Sequence, residues 1–152
     1  MITFTEVGKQ LTPQILIEFE NRNNIRLPEQ YKAFLLHTNG AQPDPSRITK
    51  TVIGEYIVVF WFYSIDNNYK EEDLAYRASR YMGKRMPGNI LPIAEDQATN
   101  MICISVRGDD IGTIYYWEHE EETPEGEKPD YRNLYKIANS FNELLSKFAN
   151  ES

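Results

Sequence analysis

The sequence predicts a single α+β domain: helices first, then a mainly antiparallel sheet with one helix inserted, then a closing helix. Three observations carry this. Two short amphipathic segments near the N-terminus bring their own start and stop residues. From residue 47 onward, apolar runs of strand length alternate with turn chemistry. An S-x-x-E box, Ser140 and Glu143, then introduces a last apolar helix.

Thr12 and Pro13 read as the N-cap and first turn of a helix with Ile15, Leu16 and Phe19 on one side. The polar run Glu20 to Asn24 is expected to end it. The second helix, "LPEQYKAFLLHTNG" (Leu27–Gly40), is bracketed tightly. Pro28 has its φ preset for a first turn and lacks an N–H that would find no partner there. Asn39 and Gly40 suit a left-handed exit. Tyr31, Phe34, Leu35 and Thr38 recur at spacings of three and four, so this stripe faces a core.

"NGAQPDPS" (39–46) is turn chemistry. Two strand candidates follow, "RITKTVI" (47–53) and "EYIVVFWFYSI" (55–65), with Gly54–Glu55 as the tight turn between them. The second is a continuous β-branched and aromatic run, which predicts a strand covered on both faces. A third helix is expected over 71–84, with Leu74, Ala78 and Tyr81 inward and Arg77, Arg80 and Lys84 on another face; acids lead and bases trail, as the helix dipole prefers. "PGNILPIAED" supplies a short strand. "TNMICISVRGDDIGTIYYWEHE" supplies a hairpin in which Ile102, Ile104 and Val106 alternate, "GDDIG" turns and 113–118 returns. An acidic loop, the strand "NLYKIA" and the capped helix complete the chain. No linker or repeat divides 1–152, and the core of the domain is expected at about 12–149.

With 41% hydrophobic and 12% aromatic residues, the chain can bury a real core, which excludes a disordered protein. Cys103 is the single cysteine, so no intrachain disulfide forms and a reducing compartment is expected. The first residues, with Glu6 and Lys9, show no signal-peptide run, and "YIVVFWFY" is too short to span a bilayer. The expectation is a cytoplasmic protein without a membrane partner.

The net charge of −7 is unevenly spread: residues 86–130 hold eleven acids against Arg107 and Lys128. A surface of this sign does not grip a phosphate backbone, so no direct nucleic-acid binding is expected. Within it, Glu118 to Glu127 contains six acids and no Lys or Arg. Such a surface suits a basic protein partner, and it also serves solubility.

No catalytic constellation emerges. Cys103, His37 and His119 are far apart, with no HxxxH or CxxC, so no metal or cofactor is expected. Cys103 sits in the alternation "MICISV" and reads as a core residue, and His37 as a cation near a helix C-terminus. No G-x-S-x-G elbow exists. Gly83–Lys84 fails as a phosphate loop, because Ala78 stands where glycine is needed and Arg85 where Ser or Thr is needed. The carboxylates of 118–122 form a solvated run, without the differently tuned pair that acid–base catalysis needs. The Arg77–Arg80–Lys84 stripe reads as the wet side of an amphipathic helix.

Three blocks resemble the Smi1/Knr4 family of the SUKH superfamily. Leu27, Pro28, Tyr31, Phe34, Leu35, Asn39 and Gly40 match its L-P-x-x-[YF]-x-x-[FL]-L helix ending in N-G. Pro92, Ile93, Ala94, Asn100, Ile102, Ile104, Gly112, Tyr115, Trp117, Glu118 and His119 match its central block: a P-I-A/G strand, a turn bearing Asn, a hydrophobic strand, a G-x-[IV]-[YF] strand, and a Trp followed by acids. "IANSFNELL" is similar to its closing helix. One departure is visible: "DQATN" stands where the family often has G-G-N or G-D-N.

The resemblance implies a non-enzymatic binding module. Many bacterial members look like immunity proteins that neutralise a secreted polymorphic toxin by contact; eukaryotic relatives act as interaction proteins in cell-wall regulation. Two expectations follow: a cytoplasmic immunity protein whose toxin partner, plausibly a nuclease, has a basic surface, or a regulatory interaction domain without a toxin. A small-ligand binder or enzyme using a groove beside the sheet is a third. The partner-binding residues expected are Asp109 and Asp110 on the hairpin turn, with Trp117, Glu118, Glu120, Glu121, Glu122, Glu125 and Glu127. Trp117 reads either as core or as partner contact.

Overall fold

A computed structural model describes residues 2–149 except 50 and 55. Helix α1 (Pro13–Asn23) starts where Thr12 Oγ1 accepts the Ile15 N–H at 3.2 Å. It ends within the polar run 20–24, as expected, although Glu20 in that run faces inward. That side chain is 4% exposed, accepts the Leu27 N–H at 2.8 Å and has Lys32 Nζ 3.8 Å away. A buried charge with these partners joins α1 to the next helix. Asn24, at φ 55°, makes the left-handed exit.

Helix α2 (Glu29–His37) buries Tyr31, Phe34 and Leu35, with Thr38 beyond its end, as the stripe predicts. The left-handed exit expected at Asn39–Gly40 is displaced: Thr38 is extended, and only Gly40 has positive φ, at 71°. Asn39 is instead a buried amide that donates to the Lys9 and Ile65 carbonyls, both at 2.9 Å, and accepts the Ile65 N–H at 2.8 Å. Gly40 is required by space as well as by φ, since a Cβ there would lie 2.7 Å from Ser64 Cβ and from the Tyr63 carbonyl.

The turn-rich run 39–46 hides a strand: β2 (Gln42–Asp44) pairs antiparallel with β1 (Thr3–Thr5). Three residues with a proline show no periodicity, and pairing alone makes them a strand. The strand expected over 47–53 shrinks to β3 (Arg47–Ile48). Lys50, in that run, and Glu55, of the expected Gly54–Glu55 turn, lie outside the described residues.

Six strands then follow in strict sequence order: β3, β4 (Ile57–Phe62), β5 (Ile90–Asp96), β6 (Met101–Ser105), β7 (Ile114–Trp117) and β8 (Leu134–Ala138), every neighbour antiparallel. A 3₁₀ turn (Lys70–Glu72) and α3 (Leu74–Tyr81) lie between β4 and β5, with the Asp73 carboxylate capping the Tyr76 N–H at 3.0 Å. The helix is shorter than the 71–84 expected, because Asp73 is extended and Gly83 has φ 73°. Helix α4 (Phe141–Ser146) closes the chain. Ser140 caps the Glu143 N–H at 3.1 Å, and Glu143 answers at the Asn139 N–H, 3.3 Å away. The result is an α+β fold.

Period-two alternation sorts the strands into two cores. Ile57, Val59, Phe62, Leu91, Ile93, Ile102, Ile104, Ile114 and Ile137 join α1, α2, α4 and Leu74 of α3 in the larger one. Ile90, Met101, Cys103, Trp117 and Leu134 form a smaller core on the other face, with Met86 over them. That second cover stops before β4, so the expectation of a strand covered on both faces fails: Phe60 is 59% exposed, and Tyr56 is also exposed.

The β5–β6 turn makes a left-handed residue without a glycine. Asp96 Oδ1 accepts the N–H groups of Ala98 at 2.8 Å and Asn100 at 2.9 Å, which leaves Thr99 at φ 65°. A β-branched residue there costs about 1–2 kcal/mol. Thr99→Gly should therefore raise stability by about 0.5–1 kcal/mol, after allowance for the looser unfolded chain. A urea midpoint that fails to rise would show the turn to be relaxed.

Candidate functional site

The acidic loop begins at a polar hub. Asn100 Nδ2 donates to the Tyr116 hydroxyl at 2.7 Å and to Glu118 Oε2 at 3.2 Å, while Asn100 Oδ1 accepts the His119 backbone N–H at 2.9 Å and also faces His119 Nδ1. Tyr116 in turn donates to Asp96 Oδ2. Burial first, and Asp96 second, push the Tyr116 hydroxyl far above its ordinary pKa, so it stays a donor. On the far side, Asn133, 1% exposed, donates to the Glu118 carbonyl at 2.9 Å, and its own carbonyl accepts the Glu118 N–H at 3.0 Å. Every hydrogen bond here fixes where the chain leaves β7.

Trp117, the last residue of β7, is 1% exposed. It shares the outer face with Tyr115, as alternation predicts, and packs with Met101, Cys103 and Leu134. Tyr81 meets its ring edge-on at 5.7 Å, and the Arg85 guanidinium lies 5.5 Å above it. The same guanidinium grips Glu122 through two hydrogen bonds of 2.8 Å. Residues 118–133 thus cross the outer face as a strap.

The expected site residues divide into two groups. Asp109 and Asp110 lie on the β6–β7 turn, and Glu118 at the other end of β7; four residues of strand, about 13 Å, separate them. Asp110 is a structural acceptor for the hydroxyls of Ser105 (2.8 Å), Tyr115 (2.6 Å) and Tyr131 (2.8 Å). Burial alone would lift its carboxyl, but these three donors outweigh it and hold the group below its ordinary range. Glu118 and Glu122 are half-buried and committed to the hub and to Arg85. Glu121 accepts the Tyr135 hydroxyl, and Glu127 lies 3.8 Å from Arg132. Asp109, Glu120 and Glu125 are exposed, and their carboxylates have no hydrogen-bond or ion-pair partner among the described residues.

Sequence reasoning missed Arg85, Asp96, Tyr116 and Asn133, which hold the loop in place. Arg85 sits 37 positions from Glu122, and no periodicity links two loop residues so far apart. Arg77, read as part of a wet stripe, instead pairs with Glu95 at 3.3 Å and lies over the Tyr63 ring. Cys103 is buried, and burial drives its thiol well above the ordinary range, so it is no nucleophile at neutral pH. Among the described residues no group of three or more His, Cys, Asp or Glu is arranged to hold a metal, and no helix is long and apolar enough to cross a membrane.

The fold and the site together define a small α+β domain: a six-stranded meander backed by helices, with an acidic strap across its outer face. The chain belongs to the SMI1 / KNR4 family (SUKH-1), which it matches over residues 10–147. That family is generally a non-catalytic, immunity-type domain. The chain is also 28% identical over 159 residues to the SPbeta prophage-derived uncharacterized protein YokK of Bacillus subtilis (strain 168), an alignment covering 92% of this chain and 76% of that one.

Two measurements test the site's construction. Trp117→Ala should lower stability by about 3–5 kcal/mol in urea unfolding, because it empties the centre of the outer core. Asp110→Asn tests pH linkage. A carboxyl held low in the folded state stabilises the fold above its ordinary pKa, and that stability disappears as pH falls through the folded value. The variant should therefore be less stable than wild type at pH 7, and the gap should close below about pH 4.

Proposed function

We propose that this protein is a cytoplasmic immunity protein that neutralises a cognate toxin by direct contact, without catalysis of its own. The observation that supports this most is the state of the acidic strap. Its anchoring carboxylates are tied down by the hub and by Arg85, while the carboxylates of Glu120 and Glu125 stand exposed without partners among the described residues. Pre-placed, unneutralised charge of one sign attracts a partner of the other sign and speeds encounter. A toxin acting on nucleic acid must present Lys and Arg where it grips phosphate, so an acidic surface fits over that site.

The partner to test is a toxin domain with a basic surface, sought among the products of the genes beside this protein's own. Glu120, Glu125 and Glu127 changed together to Gln remove charge and leave Glu118 and Glu122 at their posts. The association rate at low salt should fall about tenfold and lose much of its salt dependence, with the melting temperature unchanged. An unaltered rate and salt slope would put the contact elsewhere. Absence of any association, together with failure to protect cells expressing the toxin, would remove the immunity reading.

A further inference from the structure

The β6–β7 turn is held with unusual completeness, yet it displays an apolar residue. Backbone bonds Gly112 N to Ser105 O (2.8 Å), Thr113 N to Asp110 O (2.9 Å) and Ser105 N to Thr113 O (3.0 Å) close it. Three hydroxyls converge on Asp110 from inside. Gly108 and Gly112 take the positive φ values, 92° and 90°. At its tip Ile111 is 57% exposed. No bond of the turn uses the Ile111 side chain, so a polar residue would serve the fold equally well.

Ile111 forms one wall of a shallow cleft of about 260 Å³. Its floor is apolar, with Ile104 and Phe141 beneath and Pro28 opposite, and Gly112 opens one side, with nothing within 4 Å of where a Cβ would stand. One carboxylate lines it. Glu29 lines the rim from the first turn of α2, its side chain 89% exposed and met only loosely by Lys32 at 3.4 Å. Asp109, exposed and unpartnered among the described residues, sits two positions before Ile111.

An apolar trough with a carboxylate, Glu29, at its rim matches a side chain that has an apolar stem and a cationic head. The positive end of α2 opposes a cation, but its effective half charge is smaller than the full charge on Glu29. Two donors at the start of α4 are already used, which leaves fewer for an anion: Gln30 accepts the Asn142 N–H and Ser140 accepts that of Glu143. We infer that the Ile111 cleft is an anchoring pocket for an arginine or lysine side chain of a protein partner, a second point of contact beyond the acidic strap. It rests on the reading of a basic partner but not on the strap.

The cleft can be probed without the partner. The probe is the tripeptide acetyl-Gly-Arg-Gly-amide, titrated into the isotopically labelled full chain and followed by amide and methyl NMR shifts. Saturable shifts are expected at millimolar peptide, centred on Ile111, Gly112, Gln30 and Asn139. The double variant Glu29→Gln, Asp109→Asn should weaken binding about threefold, and Ile111→Ser about fivefold, each with an unchanged spectrum elsewhere. Acetyl-Gly-norleucine-Gly-amide, apolar but uncharged, should bind more weakly than the arginine peptide. Shifts centred elsewhere, or equal binding of the two peptides, would overturn the pocket. Neither result bears on the strap, whose own test is the salt dependence of toxin association.

Discussion

One side-chain amide, that of Asn100, sets the arrangement on which the functional surface depends. It sits on a turn between two central strands and bonds to residues that follow the next strand but one position. Because both its oxygen and its nitrogen are engaged, it holds the β5–β6 turn, Tyr116 and the exit from β7 in one geometry. A buried amide left half-satisfied would cost more than an apolar residue in its place, so the network is stabilising only when complete. Asp96 completes it by serving two masters: one oxygen shapes the turn and the other receives Tyr116.

From that hub the chain has to cross the outer face of the sheet, and Arg85 determines how. A guanidinium stacked on Trp117 and Tyr81 is partly desolvated, which strengthens its fork onto Glu122. Covering the Trp117 core and presenting the acidic run are therefore the same structural event. Six acids within ten residues repel one another, and an unanchored loop would relieve this by spreading into solvent. Ties at Glu118, Glu121 and Glu122 hold it against the sheet and leave the remaining carboxylates outward.

The groups able to do chemistry are, by contrast, absorbed into the fold. Cys103 is buried, Asp110 accepts three hydroxyls, and the Tyr116 hydroxyl donates to Asp96. Exposed charge in the strap and a small apolar trough at the hairpin tip are features suited to recognition.

The sequence by itself determined the order of the elements apart from β1 and β2, the hairpin, the caps at Thr12 and Ser140, and which residues of β6 and β7 share a face. Each of these is a local property: a side chain reaching its own helix's N–H groups, or a two-residue alternation along one strand. It also held the family signature at residues 27–40, 92–119 and 137–145. Tertiary structure decided the rest. β2 is a strand only because β1 reaches it from almost forty residues away. Glu20 is buried because a neighbouring segment supplies partners for its carboxylate. The acidic run looked uniform in sequence, yet contacts with Asn100, Arg85 and Tyr135 divide it into anchors and free charges. Such contacts join loops whose separation follows no period, and packing in three dimensions alone brings them together.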